Sequence, residues 1–172
     1  YIAFEKVREL LVKTYILSIP VQGRGLIIQT DASDYAYGAV ACQRDEKTKV
    51  LKPIEFMSRK FTDSQRKWST VLKELFAVIS ALEKWRSLVL SEKTVVQCDH
   101  RNLSFILNDP NVKSTRLIDS WRIKIQDLSF TAEYLKGEEN FIADFLSRNV
   151  SYDDIDDSKA VDQVALRSVY RS

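Results

Sequence analysis

Four carboxylic acids, Asp31, Glu74, Asp99 and Asp144, stand in a setting that gives a lone charge little support. Asp31 closes the run Leu26-Ile27-Ile28-Gln29-Thr30, and Asp99 closes Thr94-Val95-Val96-Gln97-Cys98. Both runs read as strands. As parallel neighbours they would deliver both carboxylates to one carboxyl edge, where open α/β sheets hold their ligands. Glu74 has Val71 three residues before it and Val78 four after, so it flanks the apolar stripe of a helix, an expensive place for a carboxylate. Asp144 lies among Phe141, Ile142, Phe145 and Leu146 in a last helix. Each acid alone has an ordinary explanation. A strand-end Asp caps turns, a Glu beside an apolar stripe snorkels to solvent, and a first-turn Asp answers the helix dipole. Gathered at one edge, however, the four would repel and raise one another's pKa. A hard, oxygen-seeking divalent cation removes that repulsion, Mg²⁺ first among them and Mn²⁺ as a substitute. Two such ions about 3.5–4 Å apart activate a water and stabilise a leaving oxygen in phosphodiester hydrolysis. The chemistry this pattern points to is that of a metal-dependent nuclease.

The elements that must position these acids follow from periodicity. Residues 1–19 read as a short amphipathic helix ended by Ser18-Ile19-Pro20. Strands are expected at Leu26–Asp31, Tyr37–Cys42 and Val50–Met57, in meander order, with Pro53 pushing the third to a sheet edge. From about Thr62 to Leu88, Trp68, Leu72, Leu75, Ile79 and Leu82 recur at helical spacing, and Thr62 or Asp63 can cap the start. A strand at Thr94–Cys98 follows, then a short helix around Leu103–Leu107 and a longer one at Arg116–Leu128. Ser129–Leu135 alternates as a fifth strand, Gly137 turns the chain, and Asn140 is placed to cap a helix reaching Arg148. The order helix-β-β-β-α-β-α-α-β-α predicts an α/β fold. Its mixed five-stranded sheet has an antiparallel first half, a parallel crossover and helices on its faces.

Composition sets the outer bounds. At 172 residues, with 45% hydrophobic and 29% charged residues, the chain suits one globular domain rather than a disordered segment. Two cysteines, Cys42 and Cys98, give neither a disulfide framework nor a zinc spacing, and fit a reducing intracellular setting as buried, inert thiols. No apolar run approaches the ~18–20 residues of a membrane span, and no signal peptide opens the chain. It starts at Tyr1 in the middle of a helical pattern, which reads as a piece of something longer. The formal charge of +2 conceals an uneven spread. The last segment, from Ser151, carries Asp153, Asp154, Asp156, Asp157 and Asp162 against Lys159, Arg167 and Arg171, leaving a basic body that suits a polyanionic partner.

Five ordered motifs then resemble one family. Thr30-Asp31-Ala32-Ser33, with Tyr37-Gly38-Ala39-Val40 and Gln43, is similar to the opening of the ribonuclease H domain of gypsy-type LTR-retrotransposon reverse transcriptases. Pro53-Ile54-Glu55-Phe56-Met57-Ser58-Arg59 resembles its following strand, and Trp68 to Val78 its glutamate-bearing helix. Cys98-Asp99-His100-Arg101-Asn102-Leu103 and Asn140-Phe141-Ile142-Ala143-Asp144-Phe145-Leu146-Ser147-Arg148 resemble its last two motifs. The resemblance implies a ribonuclease H-like fold and a Mg²⁺-dependent endonuclease with two ions, cutting the RNA strand of RNA–DNA hybrids during reverse transcription. It also implies a polymerase domain in the same polyprotein. The family's four metal-binding acids fall on Asp31, Glu74, Asp99 and Asp144, the same four reached from strand and helix placement. Residues 1–25 would join the polymerase part, 26–149 form the ribonuclease H domain, and 150–172 form an acidic linker or tail. Three departures leave the acids intact: Trp68 for a usual Tyr, Lys73 for a common Glu, and Phe145 for a small residue.

Cellular and retroviral relatives carry a catalytic histidine in the loop before the last helix. His100, the sole His here, lies elsewhere and reads as a residue that orients its turn behind the metal ligands. Ala32, Ser33 and Gln65 are candidates for reading the RNA 2′-hydroxyl, along with Glu74. Arg59, Lys60 and Arg116 lie in basic clusters that could track phosphates, although a solvated helix face is the commoner explanation of such clusters. The competing reading is a catalytically silent ribonuclease H-like scaffold module, in a reverse transcriptase or a domesticated host protein.

Overall fold

The computed structural model describes residues 17–100 and 115–149. Most of the expected first helix, the short helix around Leu103–Leu107 and the acidic tail lie outside the described residues. The five strands are β1 (Leu26–Ala32), β2 (Ala36–Arg44), β3 (Leu51–Lys60), β4 (Thr94–Cys98) and β5 (Phe130–Tyr134). They form one sheet in the order β3-β2-β1-β4-β5. β1 pairs antiparallel with β2, and β2 with β3, whereas β1–β4 and β4–β5 are parallel. Pro53 does lie on the edge strand. There the β2–β3 register shifts between Ala41 and Cys42, so a residue without a ladder donor is accommodated at an irregularity.

The long helical segment is divided. α1 (Asp63–Arg66), α2 (Thr70–Lys84) and α3 (Arg86–Ser91) replace the single helix expected over Thr62–Leu88. Local chemistry explains the breaks. Thr62 and Gln65 form a reciprocal capping box around α1, and the Ser69 hydroxyl then caps a fresh start by accepting from the Leu72 N–H. Trp85 leaves helical geometry at φ −103°, ψ 26°, while its indole N–H donates to Glu55 Oε2 at 2.7 Å. α4 (Arg116–Ile125) ends earlier than the expected Leu128, which nevertheless stays buried. α5 (Phe141–Arg148) closes the described chain.

Strand alternation sorts the core into two layers. Ala39 and Ala41 of β2, with Leu26 and Ile28 of β1, meet Leu75, Val78, Ile79 and Leu82 of α2. Trp121, Ile125 and Leu128 extend that layer, and Trp121 stacks edge-on with Trp68 and is tilted against Phe76. The intervening residues Val40 and Cys42 face the other way, packing with Ile27, Ile142 and Leu146 under α5. Gly38 permits that second layer. A Cβ there would stand 2.6 Å from Leu146 Cβ, 2.7 Å from the Ala143 carbonyl oxygen and 2.8 Å from the Ser147 nitrogen, too close for any other residue.

Candidate metal centre

The parallel pairing of β1 with β4 aligns Thr30 with Cys98, so the next residue of each chain, Asp31 and Asp99, leaves the sheet at the same edge. Glu74 comes to this edge from the opposite layer, in the second turn of α2. Asp31, Glu74 and Asp99 each present a carboxylate oxygen, and these oxygens lie within 4.8 Å of one another. Asp31 is 4% exposed and Glu74 3%, whereas Asp99 opens to solvent. The cluster thus has a buried floor and an open rim.

The electrostatics are those of a cluster that could hold a cation. Burial, reinforced by the Asp31 and Asp99 charges, pushes the Glu74 carboxyl up to about 9. One backbone N–H, that of Ala32, donates to its Oε1 at 3.2 Å. Its Oε2 is buried with no hydrogen-bond partner among the described residues. Native interiors seldom leave a carboxylate oxygen so. Burial also raises Asp31, with help from Asp144 and Asp99 and against a hydrogen bond from Ser147. Oxygen donors only, tightly grouped and mutually repelling, could hold a hard divalent cation.

Asp144 stands beside the three rather than among them. Its charge acts on Asp31, but its Oδ1 accepts from Arg148 Nε at 2.5 Å, one turn further along α5, and its side chain is 42% exposed. Asn140 occupies the N-cap position without capping. Its side-chain nitrogen donates instead to the Thr30 carbonyl at 2.8 Å, tying the start of α5 to the residue before Asp31. This replaces the expected cap because Asn140 is 1% exposed and faces the sheet.

The candidate substrate contacts divide similarly. The Ala32 N–H is taken up by Glu74. Ser33 Oγ lies 2.6 Å from the Ser147 carbonyl oxygen and 3.1 Å from that of Ala36, and accepts from the N–H groups of Tyr35 and Ala36. Gln65 is engaged in the α1 capping box. Arg59 is exposed on the edge strand β3, Lys60 is half-buried beside it, and Arg116 is exposed at the first turn of α4. None of the three basic residues joins the carboxylate cluster. His100 lies two residues past β4, its Nδ1 buried without a partner among the described residues, and its carbonyl accepts from the Cys98 thiol at 3.7 Å. Cys42 and Cys98 are buried, their thiols pushed up to about 12 and about 11, consistent with inert packing.

Sequence reasoning passed over three contributors: Ser147, Arg148 and the Lys73–Asp34 pair. Ser147 and Arg148 sit three and four residues after Asp144, so helical spacing alone places them on its face. Lys73 is 5% exposed and reaches Asp34 Oδ1 at 2.9 Å, pinning the β1–β2 turn to α2 next to Glu74. Among the described residues no helix is long and apolar enough to cross a membrane.

Comparison with known proteins bears on the family and the fold. A family model described as "RNase H-like domain found in reverse transcriptase" matches residues 22–128. The chain is 34% identical over 148 residues to the retrovirus-related Pol polyprotein from transposon 297 of Drosophila melanogaster, covering 85% of this chain and 13% of that protein. It is 33% identical over 150 residues to the transposon Tf2-3 polyprotein of Schizosaccharomyces pombe, covering 86% of this chain and 11% of that protein. The chain thus corresponds to a small part of the polyproteins it resembles. Among solved structures, the foamy viral protease-reverse transcriptase in complex with an RNA/DNA hybrid aligns at a TM-score of 0.54 and 22% identity. That alignment covers 79% of this chain and 18% of the viral one. LC11-RNase H1 in complex with an RNA/DNA hybrid aligns at 0.53 and 16%, covering 70% of this chain and 92% of that one. The structural likenesses establish the ribonuclease H-like fold, and the sequence matches establish the lineage. This chain belongs to the RNase H-like domain family of reverse transcriptases, in the branch carried by the Pol polyproteins of gypsy-like retrotransposons.

Proposed function

We propose that this domain is a metal-dependent endonuclease that hydrolyses the RNA strand of RNA–DNA hybrids during retrotransposon reverse transcription. The observation that carries the reading is the cluster of Asp31, Glu74 and Asp99 with an orphaned, buried Glu74 oxygen. Asp31, Glu74 and Asp99 would hold Mg²⁺, with Asp144 completing the set at the exposed rim. Two ions bound there would supply charge neutralisation, an activated water and stabilisation of the leaving 3′ oxygen. The protein's own part is positional. The Ala32 N–H fixes one Glu74 oxygen, Asn140 holds α5 against β1, and the Lys73–Asp34 pair holds the turn that follows Ala32. Basic residues around the body, Arg59, Lys60 and Arg116 among them, draw in the polyanionic duplex. On this reading residues 26–149 form the catalytic unit, and the domain works inside the cell beside the polymerase part of its polyprotein.

Two relatives of the same fold were solved with an RNA/DNA hybrid, which supports that substrate class. The test is a labelled hybrid incubated with the chain and Mg²⁺ or Mn²⁺. Short RNA products ending in 3′-hydroxyls are expected from the wild type and none from Asp31→Asn. Equal cleavage by Asp31→Asn contradicts the site assignment. Wild-type protein that binds the hybrid and the metal without cutting favours the silent scaffold module.

A further inference from the structure

We propose that Ser147 is a positioning residue for the metal centre, which sets the orientation of the Asp31 carboxylate through a direct hydrogen bond from α5. The inference rests on the metal-site reading above and extends it to a residue outside the carboxylate cluster. The Ser147 hydroxyl, on a residue 1% exposed, is in short hydrogen-bond contact with Asp31 Oδ2, the nearer of two acceptors for its single proton, the other being the Asp144 carbonyl oxygen at 2.9 Å. That leaves Oδ1 as the oxygen not already occupied by this bond. Ser33, two residues after Asp31, completes a reciprocal clasp, with its Oγ 2.6 Å from the Ser147 carbonyl oxygen.

The clasp closes because Gly38 lets the backbone of α5 approach β2 at a distance no side chain would tolerate. Ser147 lies three residues after Asp144 on the same helix, so one docking event presents Asp144 and orients Asp31 together. A ligand carboxylate held by an outer hydrogen bond cannot rotate away from the ion, and removing such a partner typically weakens metal binding about 10–100-fold. A separate hydroxyl offers an internal control. Ser58 Oγ donates to the Leu146 carbonyl at 2.6 Å, so it docks the same turn of α5 without touching a carboxylate.

The experiment is Mn²⁺ binding to the 172-residue chain, read by electron paramagnetic resonance of the free ion, with melting temperature measured on metal-free samples. Ser147→Ala is expected to raise the Mn²⁺ dissociation constant about tenfold. Ser58→Ala should lower the melting temperature and leave that constant within about twofold, a split that a purely structural role for Ser147 does not produce. Ser147→Cys keeps the shape with a weaker donor and should fall in between. It decides the matter if Ser147→Ala does not fold. Unchanged affinity in the Ser147 variants, or an equal loss in Ser58→Ala, overturns the proposal while leaving the metal site standing. No Mn²⁺ binding by the wild type overturns the metal-site reading and this inference with it.

Discussion

Two carboxylates at opposite ends of the sheet differ in who satisfies them. Asp45, in the turn between β2 and β3, accepts from the Lys47 and Thr48 N–H groups at 3.0 and 2.9 Å and pairs with Lys52 Nζ at 2.6 Å. Its carboxyl is held far below the usual range, chiefly by Lys52 and Thr48. Glu74 is buried, receives one N–H and faces two other acids, and is pushed up to about 9. Asp45 is finished by the protein alone. Glu74 is left incomplete, with one buried oxygen that has no partner among the described residues.

The sharpest way to break this contrast is to remove the acids themselves. Asp31→Asn or Glu74→Gln should reduce hybrid cleavage to background, whereas Asp45→Asn should leave it unchanged. A product assay on the three variants checks this. Next in size is α5, the helix that carries Asp144. Gly38→Ala places a Cβ 2.6 Å from Leu146 Cβ and 2.7 Å from the Ala143 carbonyl, and overpacking of this kind costs about 1–3 kcal/mol. Denaturant unfolding should show that loss, and cleavage should fall with it as α5 is forced off β2.

The pH dependence of stability comes third, and the two acids predict opposite slopes. Glu74's folded pKa lies above the unfolded value of 4.5, so its contribution is full below about pH 4.5 and is lost as pH rises through about 9. Metal-free protein should therefore melt progressively lower from about pH 5 to pH 9, and Glu74→Gln should flatten that decline. Asp45's folded pKa is depressed, so its contribution is present above pH 3.8 and is lost as pH falls below that value. Because Asp45's ion pair with Lys52 involves an exposed lysine, this last effect should be the smallest, visible as a modest acid-side difference between wild type and Asp45→Asn.

Much of this was legible in the sequence, for identifiable reasons. Strand-end acids and a β-α-β crossover fix where Asp31 and Asp99 emerge, whereas a glutamate flanking an apolar helical stripe could equally have snorkelled to solvent, and only the packed structure buries Glu74. The breaks at Ser69 and Trp85 were not legible, because Trp68 to Leu82 keeps one continuous 3.6-residue pattern through the first of them. Tertiary anchors such as the Trp85–Glu55 bond decide the second. Asn140 shows the same limit. Its type and position predicted a cap, but a sheet carbonyl 110 residues away competed for its amide and won. The partners of Asp31 and Asp144 on α5 were within reach, since Ser147 and Arg148 follow at helical spacing. Which of them meets which acid depends on a docking distance that no spacing rule supplies.

The central claim is that Glu74, protonated in the metal-free protein, gives up its proton to make a cation site with Asp31 and Asp99. Calorimetric titration with Mn²⁺ at pH 7.5, repeated in buffers of different ionisation enthalpy, measures the protons released on binding. Wild-type protein should release about one proton per site filled, and Glu74→Gln should bind more weakly and release none. Binding without proton release, or identical titrations for the two proteins, would contradict the account.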